Sequence, residues 1–452
     1  MSIGSLKVEN ARFILTVDAD RRIVADGAIL VEDGQITRVG KTADFADVFA
    51  ERVIDASEMV VTPGFSNGHM HISYAHAVRG IFPDDVKDRL AYVFQMQLAM
   101  TAEEERDTSL LAAVELLKGG TTHIVDPGST KHIDACLDAY DQAGIRVITG
   151  EHVTDHDNPV NLPSYDTAEA IRRIEDTIER FDGKLDGRVR SWAMPFSAPF
   201  CSDELLIAAK EIANRHGTMM TLHHFGGRPR ADGRLPTQYL ADIGVLGPGL
   251  LLAHGMGLQP EEVDLIAESG ATVAMLPPTV LKGGQGIQQG GTLPELLERG
   301  VPVALGTDSV NSSNYTDMVR VMGLTATVYK DARQDDTLIP AETAVELATR
   351  SGAEALGRGA DLGSIEVGKR ADFVLFDTRR PEWQVLNEPV NNLVYSADAS
   401  SVHTVIVDGR VVVEDHQLPG VDEWALIQRV AEIGAAVRER TGVSFPNRWP
   451  IV

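Results

Sequence analysis

The sequence predicts an α/β fold: a closed barrel of eight strand-and-helix units beside one small β domain assembled from both ends of the chain. Three observations carry that expectation. Strand-like runs with tight turns occupy the two ends; between them, apolar runs alternate with longer amphipathic stretches; and those apolar runs stop on polar residues.

At the N-terminal end, "ARFILTVD", "GAILVEDGQITRVG" and "ERVIDASEM" within residues 5–60 are short strands, with Asp33 and Gly34 as turn residues. The pattern returns from residue 363 in "GSIEVGKRADFVLFD" and "VHTVIVDGRVVVEDHQ", where Asp408 and Gly409 sit between a pair of β-branched runs as a hairpin turn does. The expected division is residues 1–60 with 363–420 as a discontinuous β domain, 61–362 as the barrel, and 421–452 as a C-terminal helical segment and tail.

Within the middle portion the strand candidates end at His71, Asp126, His152, Ser197, His224, His254, Pro277 and Asp308, and eight of them suggest closure. One intervening helix is bounded by its own chemistry. "TAEEERDTSLLAAVELLKGG" opens with Thr101 and Glu104 in capping-box spacing and stops at Gly119 and Gly120. The Gly-rich "KGGQGIQQGG" at 282–291 reads as a mobile loop.

A parallel barrel keeps its working groups at the C-terminal ends of its strands. "PGFSNGHMHISYAHAVRG", residues 63–80, places His69 and His71 one residue apart after an apolar run, so a strand reaching His71 would project both imidazoles to one side. "TLHH" adds His223, and "VPVALGTDS" runs into Asp308. Neutral imidazoles and a carboxylate converging from several strand ends suit a divalent ion that keeps an open position for water, so His69, His71, His223 and Asp308 are the candidate ligands.

Composition narrows the function classes. A formal net charge of −25 disfavours nucleic acid or an anionic membrane as partner. No apolar run reaches the length of a membrane span, the N-terminus lacks a signal-peptide pattern, and the two cysteines, Cys136 and Cys201, form no CxxC pair. A cytoplasmic location and a small-molecule substrate are expected.

In order along the chain, "VVTPGFSNGHMH", "GGTTHIVD", "SAPFCSDELL", "TLHH", "LLAHG", "VALGTDS" and "GSIEVGKRADFVLFD" resemble the amidohydrolase superfamily over nearly the whole length. The nearest branch resembles the cytosine deaminase, chlorohydrolase and S-adenosylhomocysteine deaminase group. That resemblance implies a distorted TIM-type (β/α)8 barrel with a flanking β-sandwich-like domain, and a homo-oligomer. It also implies one divalent metal, zinc before iron or manganese. It matches His69 and His71 to the first-strand ligands, His223 to the fifth-strand ligand, His254 to the sixth-strand histidine and Asp308 to the eighth-strand aspartate. "VRSWAMPFS" contains no lysine to bridge a second metal.

The branch pattern carries a glutamate three residues after the fifth-strand histidine, where this chain has Gly226. Ring deamination needs an acid to protonate a ring nitrogen, and glycine has none. Hydrolysis of an amide, urea or carbamate C–N bond is therefore expected first, with deamination or dechlorination of a nitrogen heterocycle as the alternative. Asp308 is the expected general base and then acid, and His254 the group that stabilises charge on the carbonyl oxygen. Tyr74, His76, Arg79, His123, His152, His224 and Asn311 are the expected substrate contacts. His224 either packs outside the barrel or is swung inward by a bulge.

Overall fold

The apolar runs at the two chain ends pair with each other. In the computed structural model, which describes residues 4–451, Met59–Pro63 lies antiparallel to Phe373–Asp377 and parallel to Leu6–Leu15. From that junction one eight-stranded sheet spreads in both directions. Ile23–Glu32 and Gln35–Lys41 extend the N-terminal side, Val402–Val407 and Arg410–Val413 the other, and Arg52–Asp55 pairs with Leu6–Leu15. Alternate residues of these strands, among them Val8, Ile14, Ile29, Val61, Phe373 and Ile406, bury one face in an apolar cluster of their own.

The barrel strands are Phe65–Asn67, Thr121–Val125, Arg146–Thr149, Val189–Ser191, Met220–Phe225, Leu250–Met256, Thr272–Met275 and Val303–Leu305. They form two parallel four-stranded sheets. One seam is bridged by Thr221 N–H donating to Ala193 C=O at 3.0 Å, the other by Gly68 N–H donating to Leu305 C=O at 2.8 Å. A Cβ at Gly68 would stand 2.7 Å from that of Ala304, so glycine is what lets the first and eighth strands meet.

Two expectations are corrected. A single strand running to His71 is not formed: the chain changes partners at Gly64, which bonds Asp372, while Phe65 bonds Gly120, and the barrel strand ends at Asn67. His69 and His71 sit beyond it, held by Asp308 N–H donating to His69 C=O at 3.0 Å and by Met70 N–H donating to Val125 C=O at 2.8 Å. The Gly-rich stretch at 282–291 is not a simple loop. The short helix Pro277–Lys282 ends at the first residue of the stretch, and within it a second, Ile287–Gly290, buries Ile287.

The helix Ala102–Lys118 forms as expected, with both hydrogen bonds of the Thr101/Glu104 capping box. Packed on it is the C-terminal helix Glu423–Thr441, fixed by Arg429 to Asp107 at 3.1 Å and Arg440 to Glu104 at 2.6 Å. The barrel and the end sheet are joined through buried Arg146, which reaches Asp372 at 2.7 Å and Asp408 at 2.9 Å.

Candidate active site

Four histidines from three barrel positions converge at the C-terminal mouth. The His69 ring centroid lies 4.9 Å from His71, 4.8 Å from His223 and 5.1 Å from His254. The ligand-capable nitrogens of His69, His71 and His223 all fall within 4.8 Å of one another. His223 Nδ1 lies 3.1 Å from the Phe196 carbonyl. Nδ1–H donation to that oxygen leaves the Nε2 lone pair facing its neighbours.

The donor set fits a divalent ion. His69 is fully buried, yet neither of its ring nitrogens has a hydrogen-bond partner. An orphaned buried polar group is costly unless something satisfies it, and coordination does. Burial, reinforced by the surrounding imidazoles, drives the pKa of His69 and His223 well below the ordinary value, so both offer neutral lone pairs at physiological pH.

Asp308 stands beside the three-histidine group, its Oδ1 3.6 Å from His71 Nε2. The Ser309 N–H donates to the same oxygen at 2.6 Å. Both Asp308 (φ 58°) and His254 (φ 79°) occupy the left-handed region, unusual for residues with a side chain. That backbone geometry aims the two groups into the mouth, a placement of strain common at functional sites. Burial lowers the His254 pKa to about 4.

These groups open into a cavity of about 710 Å³, lined by His71, Tyr74, His223, His254 and Asp308 at its floor. His224 also lines it. The ladder between the fifth and sixth strands slips after His224, where His254 and Met256 oppose consecutive residues, and His224 Nε2 lies 2.9 Å from Thr237 Oγ1. The extra residue of that irregularity is Gly255 of the sixth strand, beyond the paired His224 and His254. His152 does not line the cavity, but its ring is 6.1 Å from His71 and 5.5 Å from His223. Asn311 is buried beside Tyr74 with neither amide atom hydrogen-bonded.

Three expected contacts lie elsewhere. His76 and Arg79 both turn to Glu115, His76 Nε2 at 3.0 Å, and line a separate cavity behind the first βα loop. The reason is the 3-10 turn Ala75–Val78, which redirects the chain just after Tyr74. His123 is buried in the second strand, where Arg146 and Arg358 are its charged neighbours, away from the cavity.

Sequence patterns did not single out the aromatic wall. Phe196 packs at 4.7 Å on His223, stacks on Phe200 at 5.4 Å and meets Phe94 edge-on at 5.4 Å. Phe225 stacks on His254 at 4.7 Å. The signal available was "FSAPF" at the end of the fourth strand, two phenylalanines four residues apart at a position where the other strands end on polar residues.

With this geometry in place, comparison with known proteins defines the class. The model of the amidohydrolase family matches residues 60–412, and the chain belongs to that family. It is a hydrolase of carbon–nitrogen bonds other than peptide bonds, dependent on a divalent metal. A 5-methylthioadenosine/S-adenosylhomocysteine deaminase of Syntrophobacter fumaroxidans is 33% identical, the match covering 94% of this chain and 97% of the relative. An adenosine deaminase from Xanthomonas campestris with bound zinc superposes with a TM-score of 0.85 at 26% identity, over 96% of this chain and 98% of the other. The atrazine chlorohydrolase TrzN of Arthrobacter aurescens, complexed with zinc, shares the fold with a TM-score of 0.85 at 23% identity, over 95% and 100% of the two chains.

Proposed function

We propose that the enzyme hydrolyses an amide, urea or carbamate C–N bond of a small molecule, with His69, His71, His223 and Asp308 holding one ion, zinc before iron or manganese. The observation that carries this reading is the environment of Gly226. A side chain there would start 2.7 Å from both Glu262 Oε2 and Leu258. Glu262 is itself occupied, accepting from the N–H groups of Gly227 at 2.7 Å, Thr237 at 3.0 Å and Gln259 at 3.0 Å. Among the described residues, Asp84 and Asp308 are the only acids lining the cavity, and Asp308 is the one beside a proposed ligand histidine.

When bound, the ion supplies Lewis-acid polarisation and lowers the pKa of water to roughly 7. The remaining chemistry falls to the chain. Asp308 takes a proton from the water as its oxygen adds to the substrate carbonyl carbon, then returns it to the nitrogen as the C–N bond breaks, leaving an acid and an amine. His254, neutral near pH 7, donates to the carbonyl oxygen as charge develops. Tyr74, His152, His224 and Asn311 bound or flank the substrate. The phenylalanine wall suits a flat apolar substituent and excludes water from the bond being cut.

Deamination of an amino-substituted heterocycle is the second reading, favoured by the names of the relatives. A screen of zinc-loaded protein against acetanilide, N-phenylurea, methyl N-phenylcarbamate, adenosine and an aminotriazine, detecting amine and ammonia separately, decides between them. Aniline from the acyl compounds supports the first; ammonia from adenosine or the triazine alone overturns it.

We further propose the division into 1–60 with 363–420, 61–362 and 421–452, of which residues 1–3 and 452 lie outside the described residues. A cytoplasmic homo-oligomer is proposed with it. Supporting the location are two buried free cysteines and the absence, among the described residues, of a helix long and apolar enough to cross a membrane; the assembly rests on family resemblance.

A further inference from the structure

We propose that the C-terminal tail, through Phe445, is a positioning element of the active-site cavity: it clamps the helix Arg89–Ala99 from outside and so sets where the substrate-facing side of that helix stands. The proposal rests on the cavity being the active site, and not on which C–N bond is cut.

The helix Arg89–Ala99 belongs to the first βα loop, and its inner face gives Val93, Phe94 and Gln97 to the cavity. Phe94 meets Phe196 at 5.4 Å, and Phe196 meets His223 at 4.7 Å, so the helix touches the proposed metal centre through one intervening ring. Its inner side is tied to the barrel by Gln97 Nε2 donating to the Ser129 carbonyl at 2.7 Å and Lys131 Nζ donating to the Leu98 carbonyl at 3.0 Å, but its intrinsic stability is low. At 11 residues it is marginal as an isolated helix, and its N-cap, Asp88, sits at φ 54° with no side-chain capping bond.

The outer side is covered by the chain's last residues. Phe445 packs edge-on at 5.3 Å against Tyr92 and at 5.7 Å against Phe82. Arg448 reaches Asp85 at 2.5 Å, and Gln95 Nε2 donates to the Thr441 carbonyl at 2.8 Å. The C-terminal helix also crosses the loop's first turn so closely that a Cβ on Gly434 would strike the Ala77 carbonyl. Tyr92 and Phe94, two residues apart on one helix, therefore couple the tail on one side to the aromatic wall on the other. An exposed ion pair such as Arg448–Asp85 adds little by itself, whereas Phe445 brings the tail's aromatic contact with the helix.

The test is Phe445→Ala in the full-length zinc-loaded chain, with Phe445→Tyr as the conservative variant. Backbone hydrogen exchange is followed in 82–98 and, as an internal reference, in the barrel strands 121–125 and 220–225. KM and kcat are measured on the compound that the acyl and heterocycle screen selects. The expected result for Phe445→Ala is exchange at least about tenfold faster in 82–98 with the strands unchanged. A rise in KM of about fivefold or more with kcat and zinc content held accompanies it, and Phe445→Tyr restores both. Parental exchange, or faster exchange with unaltered KM, overturns the proposal. Faster exchange throughout the barrel, with kcat and zinc lost together, overturns it as well, since the tail would then be a general element of the fold. If no compound in the screen is turned over by the parent, the functional reading fails by itself, and the affinity of adenosine and of N-phenylurea for the zinc-loaded chain, measured by calorimetry, takes the place of KM: a Kd about fivefold weaker in Phe445→Ala supports the clamp and an unaltered Kd overturns it.

Discussion

Asp308 Oδ1 and His71 Nε2 lie 3.6 Å apart, although 237 positions separate the two residues in the chain. The eighth barrel strand closes against the first, and the Asp308 N–H binds the His69 carbonyl. The proposed proton carrier is thus locked by its own backbone to the segment that carries two of the proposed metal ligands, His69 and His71.

Asp308→Asn removes the proton-accepting oxygen while keeping the shape, and asparagine tolerates the left-handed backbone at this position. Turnover is expected to fall by about 10²- to 10⁴-fold, with far-UV circular dichroism and zinc content close to the parent. Activity within a few-fold of the parent removes Asp308 from the role of general base.

Chelation should abolish activity and also lower stability. Binding to the folded state alone contributes about 2.7 kcal/mol at a free-ion concentration of 100 times Kd. The unfolding midpoint is therefore expected to drop on dialysis against a chelator and to recover with added zinc. His69→Ala should show the lower midpoint whether or not zinc is added.

His123 gives a pH signature independent of the metal. Burial first, then Arg358 and Arg146, hold its pKa well below the ordinary 6.5, while the unfolded chain titrates near that value. As pH falls below about 6.5, the unfolded state takes up a proton that the folded state refuses, so stability is present above that pH and declines beneath it. Every tenfold difference in proton affinity between the folded and unfolded states costs about 1.4 kcal/mol once the pH lies below both pKa values. The drop in urea midpoint from pH 7.5 to pH 5.5, with zinc saturating, should be smaller in His123→Leu than in the parent. Identical drops would contradict the assignment.

Gly226→Ala places a methyl group against Glu262 and Leu258. Because Glu262 also caps three backbone donors, the intrusion is expected to cost about 1–3 kcal/mol, seen as a lower thermal midpoint. Gly226→Glu should likewise fail to confer deaminase activity on adenosine, since its carboxylate would be pushed against another. Ammonia release by that variant would show that the second reading needs one residue only.

The barrel was legible because its apolar runs stop on polar residues: His224 and His254 lie at or near the ends of their strands, and Asp308 lies a few residues past Leu305. The change of partner at Gly64 was not, since Met59–Pro63 and Phe65–Asn67 are both fully buried and periodicity cannot name a strand's neighbour. Loop directions were equally hidden. His76 and Arg79 follow the first-strand histidines closely in the chain, but their partner Glu115 lies on a helix, 39 positions beyond His76 and 36 beyond Arg79. Nothing in the spacing of "RLAYVFQMQLA" announced that Phe94 faces a cavity, because that helix starts without a side-chain cap and depends on tertiary contacts.

The pairing of Met59–Pro63 with Phe373–Asp377 also constrains birth on the ribosome. The opening hairpins emerge long before their remaining sheet neighbours are synthesised, so the edge of Met59–Pro63 must stay unpaired through the translation of some 300 intervening residues. A nascent chain arrested before residue 373 would carry that edge bare, and holdase chaperones would find there the apolar strand that the finished enzyme conceals.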